Sequence, residues 1–222
     1  MRTKIADRNL PSYTKGEEMF NMISHIVGIC MGIAVLTMCV SKSCVNNNPI
    51  GVVSSVIYGT TMIILYAMSS IYHGLPCCTT KKVFRILDHC TIYFLIAGSY
   101  TPIALCALRV HSPTVGWTIF ILEWIMTAIA VTLTSIDLKK YEVFSMVCYI
   151  AMGGGIIVVS KLAITALDTT GFTYLILGGI SYIVGAILYG IGKKKKYRHS
   201  IFHLFVLMGS LLHFMCIYYH AL

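Results

Sequence analysis

His199 and His203 stand four residues apart at the start of the last apolar stretch, so on a helix they lie one above the other and aim both imidazoles at one point. That spacing is a metal clamp. The pair follows directly on Lys193-Lys194-Lys195-Lys196, a block too charged to lie in lipid, which puts it where a membrane helix begins. A His-x3-His pair becomes a site only with a third ligand from elsewhere. The question is therefore which other helices bring polar groups to the same level.

The surroundings are those of an integral membrane protein. Of 222 residues, 57% are hydrophobic and 11% charged, with a mean hydropathy of +0.81, where soluble domains are near half apolar and a quarter charged. Residues 1–18 are polar and basic and lack the apolar core of a secretion signal, so no cleaved signal peptide is expected. The nine cysteines are odd in number and lie mostly within apolar runs, which argues against a disulfide framework and reads as small packing residues. Cys77-Cys78, at a membrane boundary, also admits palmitoylation or redox chemistry.

Seven apolar runs meet the requirement of about twenty residues per span: 20–40, 51–73, 87–108, 114–136, 143–163, 172–192 and 199–220. They are continuously apolar, unlike the alternating strands of a barrel, so the expectation is an all-α bundle with short connections. Thr14-x-x-Glu17 predicts a capping box ahead of the first span, and Asn46-Asn47-Asn48-Pro49 predicts a turn before the second. Residues 1–18 then form a cytoplasmic segment and 19–222 a single seven-helix domain.

A net charge of +9 suggests nucleic acid until the basic residues are assigned to the connections. With the N-terminus inside, Arg2, Lys4, Arg8, Lys15, Lys81, Lys82, Arg85, Lys139, Lys140, Lys193 to Lys196 and Arg198 are inner, fourteen in all, and only Lys42, Arg109 and Lys161 are outer. The asymmetry predicts a cytoplasmic N-terminus, an outer C-terminus and a multi-pass protein of the cell membrane. The charge is accounted for by topology and by attraction to anionic headgroups, with no soluble motif for nucleic acid.

This topology brings His73, at the end of the second span, to the inner leaflet together with Asp88 and the His199/His203 pair. Three neutral imidazoles with one position left for water is the pattern of catalytic zinc. His73, His199 and His203 are the expected ligands. Asp88 is either a fourth ligand or the base that holds and deprotonates the water, and the second role suits a carboxylate beside the metal. Ser69, one turn before His73, either steadies the water or Asp88, or bonds its own i−4 carbonyl.

Glu18-x-x-Asn21-x3-His25, Ser69-x3-His73, Leu87-Asp88-His89 running on to Ile96-Ala97-Gly98-Ser99-Tyr100-Thr101-Pro102, and His199-x3-His203 followed by His213-Phe214 resemble the hemolysin III family over residues 18 to 214. That family is the bacterial branch of the progestin and adiponectin receptor group. The resemblance implies seven spans, an inside N-terminus and an inner-leaflet zinc site from three histidines matching His73, His199 and His203, with Asp88 and Ser69 beside it. It also marks Glu18 and His25 as motif positions, expected to hydrogen-bond near the metal. The sequence reads as close to the minimal seven-span unit, so a counterpart of the receptors' long N-terminal regulatory region, and with it hormone binding, is not expected. Members are variously labelled hemolysins, membrane-homeostasis proteins and, by similarity to alkaline ceramidases, lipid amide hydrolases.

Other polar groups in the spans are costly and need partners. His213 lies about 15 Å along the helix from His203 and cannot share its metal. Glu123, in the fourth span, should either be protonated or face the bundle interior; His89 turns about 100° away from Asp88; His111 and His220 are interfacial. Pro102 should kink the third span, while Gly28-x3-Gly32 and Ser181-x3-Gly185 allow close helix approach and Gly153-Gly154-Gly155 weakens the fifth span. A lipid-lined cavity opening toward the metal is expected. Three functions follow: a zinc hydrolase of a lipid amide or ester, a non-enzymatic lipid-sensing or homeostasis protein with structural zinc, and a cytolytic pore. The last is disfavoured by the lack of a continuous polar face. Membrane lipids are the expected partners, and the lipid and oligomeric state are left open.

Overall fold

The computed structural model describes residues 5, 8–191 and 195–222, and among these the chain is helical throughout, with no strand. Arg2, Lys4, Lys193 and Lys194 of the inner basic set lie outside the described residues. Among the described residues, six helices are long and apolar enough to cross a membrane: α1 (Lys15–Val45), α2 (Pro49–Gly74), α3 (Thr79–His111), α4 (Pro113–Ile136), α5 (Glu142–Gly190) and α6 (Arg198–Ala221). Large apolar side chains such as Met19, Val27, Ile125 and Val147 are exposed on their outer faces, as hydrocarbon contact requires.

The expected caps form. Thr14 Oγ1 accepts the Glu17 amide while Glu17 Oε2 accepts the Thr14 amide, so α1 starts at Lys15. The turn after α1 uses Asn47 in the left-handed region (φ 50°), and Asn48 Oδ1 takes the Gly51 amide at the head of α2. At Pro102, α3 loses its regular ladder and continues in π geometry from Ile103 to Leu108, because proline offers no N–H.

Small residues set the packing. A Cβ on Gly28 would meet the Tyr66 ring at 2.5 Å, one on Gly98 would meet Thr61 Oγ1 at 2.0 Å, and one on Gly59 would meet Leu36. These contacts bind α1 to α2 and α2 to α3 in antiparallel pairs; within lipid, close contact of this kind drives helix association. The central helix is α3, 78% buried over its apolar window against 22% for α4. Among the nine free cysteines, Cys39, Cys90, Cys148 and Cys216 are buried packing residues as expected, whereas Cys30, Cys44 and Cys77 are exposed.

The fifth and sixth runs do not have the loop expected over residues 164–171. They form one helical stretch, α5, interrupted at Asp168 (φ 53°, ψ 177°) after a 3-10 segment at Gly155–Val159. Asp168 Oδ1 accepts the Thr170 and Gly171 amides at 2.6 and 3.0 Å, starting a new helix with no further residues spent. Before the break, Tyr149 meets His89 and Gly153 meets Tyr100, so this half follows α3 upward. After it, Gly171 abuts His220 and Gly185 abuts Phe205, so that half runs antiparallel to α6. Since α2 opposes both α3 and α6, the halves of α5 run in opposite directions.

Candidate metal centre

Four helices meet where α2 ends and α1, α3 and α6 begin. The last turn of α2 carries His73, and the first turns of α6 carry His199 and His203. His199 Nε2 lies 3.1 Å from His73 Nε2 and 3.1 Å from His203 Nε2. One ligand atom from each ring falls within 4.8 Å of the others, and His73 and His203 are 3% and 1% exposed. Tetrahedral zinc with Zn–N of about 2.0–2.1 Å would separate its nitrogens by about 3.3 Å.

The outer nitrogens settle the tautomers. Glu18 Oε2 sits 2.6 Å from His73 Nδ1; a carboxylate only accepts, so Nδ1 carries the proton and the His73 Nε2 lone pair faces the centre. Ser24 Oγ donates to the Asn21 carbonyl at 2.9 Å, so in its 3.3 Å contact with His203 it accepts and Nδ1–H donates. The His203 Nε2 lone pair then also points inward. Two lone pairs thus face His199 Nε2, whose own Nδ1 is buried with no hydrogen bond of ordinary geometry. A shared cation satisfies all three nitrogens, where a single imidazole proton would serve them poorly. The donor set fits a metal ion.

Supporting groups surround this centre. Lys81 Nζ donates to Glu18 Oε1 and to the Leu75 carbonyl, both at 2.8 Å. Ser200 Oγ donates to Asn21 Oδ1 at 2.7 Å, tying α6 to α1. The Tyr13 ring stacks on His199, centroids 5.2 Å apart and planes 18° apart; burial, then Tyr189 and Tyr72, push its phenol above the ordinary range, so it remains a neutral cover. Glu18 therefore reaches a ring of the cluster as expected. His25 does not hydrogen-bond there. Its ring stacks on His203 at 3.7 Å and 8°, and both its nitrogens lack hydrogen bonds of ordinary geometry: at 3% exposure it is enclosed by rings that offer faces, not acceptors.

Asp88 is not one of the three clustered ligands; it lies in α3 with His73, Ser69 and Arg85 as its interacting neighbours. Ser69 Oγ is buried and makes no hydrogen bond of ordinary geometry, its own i−4 carbonyl included. His213 is buried farther along α6 with its ring edge-on to Tyr182, and Glu123 faces the interior near Gly155. His89 offers its carbonyl to Tyr149, His111 is exposed, and His220 Nδ1 pairs with Asp168 at 2.8 Å. Tyr13, Ser24 and Lys81 escape sequence reasoning because their roles follow from helix packing; Lys81 reads in sequence only as a topology charge.

A multi-helix membrane protein with a three-histidine group able to hold a metal ion is the class these features define. The model of the family described as Haemolysin-III related matches residues 13–214. The chain is 36% identical to "Hemolysin-3" of Bacillus cereus over 206 residues, 93% of this chain and 92% of that one. It is 34% identical to "Hemolysin-3 homolog" of Bacillus subtilis (strain 168), covering 94% and 96%. More distantly, "Adiponectin receptor protein" of Drosophila melanogaster is 22% identical over 89% of this chain and 49% of its own. The chain belongs to the haemolysin-III-related family, and the similarity to the adiponectin receptor protein is in keeping with the wider receptor superfamily.

Proposed function

We propose that this protein is a seven-span, zinc-dependent hydrolase of the cell membrane, ceramidase-like, that cleaves a lipid amide or ester and serves membrane lipid homeostasis. The observation that carries the reading is the convergence of three Nε2 atoms, two with lone pairs turned inward by Glu18 and Ser24. The reversal at Asp168 supports counting α5 as two spans, and the fourteen-to-three distribution of basic residues supports a cytoplasmic N-terminus.

Zinc, when bound, would polarise a carbonyl and acidify water at neutral pH. His73, His199 and His203 would hold it. Asp88 takes the proton from the attacking water and delivers it to the leaving amine or alcohol, with Ser69 orienting the carboxylate. Glu18 and Lys81 hold His73 in register, and Tyr13 keeps bulk water off His199. Membrane lipids are the partners, and nucleic acid has no place in this reading.

One observation favours a second reading, in which zinc only ties helices together and the protein senses lipid: Asp88 stands outside the histidine group. Assays of purified protein with a short-chain ceramide and a matched ester separate the two. The hydrolase reading expects turnover that falls at least about 10²-fold in Asp88→Ala while zinc stays bound. Zinc-loaded protein without turnover on either class, or turnover untouched by Asp88→Ala, would contradict it.

A further inference from the structure

A groove of about 520 Å³ runs along the outside of the bundle between α1 and α6. Its walls are Met19, Phe20, Ile23, Val27, Leu204 and Leu207, with Ser24 on its floor. Gly16 and Tyr197 stand at its mouth, a Cβ on Gly16 reaching the Tyr197 hydroxyl at 3.0 Å. From residue 16 to residue 27 a helix rises about 16 Å, the depth of one leaflet of a hydrocarbon core about 30 Å thick. The groove is thus as long as the stretch one acyl chain occupies in one leaflet, and it faces the bilayer.

The mouth is positive. Lys15 precedes Gly16, and Lys195 and Lys196 precede Tyr197, all three exposed. The acids there are already engaged. Glu17 accepts from Thr14 and from the Tyr197 amide at 2.7 Å, and Glu18 accepts from His73 and Lys81. Lys196 also faces Glu17 electrostatically, so an anionic headgroup shares that lysine with a carboxylate whose hydrogen bonds go to Thr14 and the Tyr197 amide.

We propose that this groove is a binding site for an anionic phospholipid, one acyl chain lying along α1 and α6 and the phosphate meeting Lys15 and Lys196. The assignment depends neither on zinc nor on turnover, so it stands or fails apart from the hydrolase reading. Its consequence for the metal centre runs through Ser24, which lines the groove and hydrogen-bonds His203 Nδ1 at 3.3 Å. The bound chain lies against Ser24, the side chain that accepts from His203.

The test places a single Trp in the groove, Phe20→Trp in a Trp117→Phe/Trp124→Phe background of the full chain. The protein is reconstituted into vesicles of dioleoylphosphatidylcholine and dioleoylphosphatidylglycerol, one lipid or the other brominated at its double bonds. Quenching is expected to show a preference for phosphatidylglycerol of at least about fivefold, the weight of one lysine near a membrane surface. Trp at Ile125, on the lipid-facing side of α4, should show none, and Lys15→Gln/Lys196→Gln should abolish the preference at Phe20→Trp. Equal quenching by both lipids at the groove, or a preference unmoved by the lysine changes, overturns the proposal. On the unaltered chain, a phosphatidylglycerol with a diazirine in its acyl chain should label peptides containing residues 16–27 and 204–207; label spread evenly over the helices overturns it equally.

Discussion

Glu18 is the residue on which the chemistry of His73 turns, because its carboxylate fixes which ring nitrogen keeps the proton. Changing it to Gln leaves the volume but lets the side chain donate as well as accept, so the inward lone pair is no longer enforced. Glu18→Gln should weaken zinc affinity by about 10- to 100-fold, as loss of such an outer partner does, read by competition with a chromophoric chelator; unchanged affinity would remove Glu18 from the site. Histidine spacing made the His199/His203 face legible from sequence, and the topology read from the basic residues made its meeting with His73 legible. Ser24 and Tyr13 were not legible, since a serine in a helix and a tyrosine before one carry no mark of the ring they will touch. His25 was legible as a position but not as a contact: the motif expectation of a hydrogen bond gave way to a ring stack on His203.

At the scale of elements, the bundle depends on turns and close approaches that single residues control. Asp168 supplies both a left-handed backbone and a cap for two amides. Asp168→Gly keeps the backbone freedom and should cost only a few tenths of a kcal/mol, whereas Asp168→Ala loses the cap and retains the strain, for roughly 1–3 kcal/mol. Thermal unfolding in detergent should therefore rank wild type, then Gly, then Ala; Ala equal to wild type would contradict the capping account. Gly98 is the tightest of the helix contacts, and Gly98→Ala should destabilise by about 1–3 kcal/mol through overpacking against Thr61, with partial recovery in Gly98→Ala/Thr61→Ala. Hydropathy located the junction at 164–171, where Asp168 falls, but not its compactness, because Thr165, Asp168, Thr169, Thr170 and Gly171 read as a loop and the capped reversal at one residue carries no separate mark in sequence. Pro102 was legible as an interruption, but the π geometry that follows it over Ile103–Leu108 was not.

For the whole molecule, the account rests on orientation and on the metal. Cys44 and Cys77 are both exposed and lie at opposite ends of the bundle, near the end of α1 and just after α2. With the N-terminus cytoplasmic, a membrane-impermeant maleimide applied to intact spheroplasts should label Cys44, and Cys77 should react only after permeabilisation; the reverse pattern would invert the topology. The all-helical fold class could be read from hydropathy because it follows from the cost of moving polar groups into lipid, while the tautomers and the groove exist only once α1 packs on α2 and α6. The most direct test is the zinc content of detergent-purified protein by elemental analysis, beside His73→Ala and the His199→Ala/His203→Ala pair. The account expects about one zinc per chain, matching a three-histidine catalytic-type site, and near-complete loss in both variants. Protein without zinc, or zinc retained when those rings are gone, would contradict it.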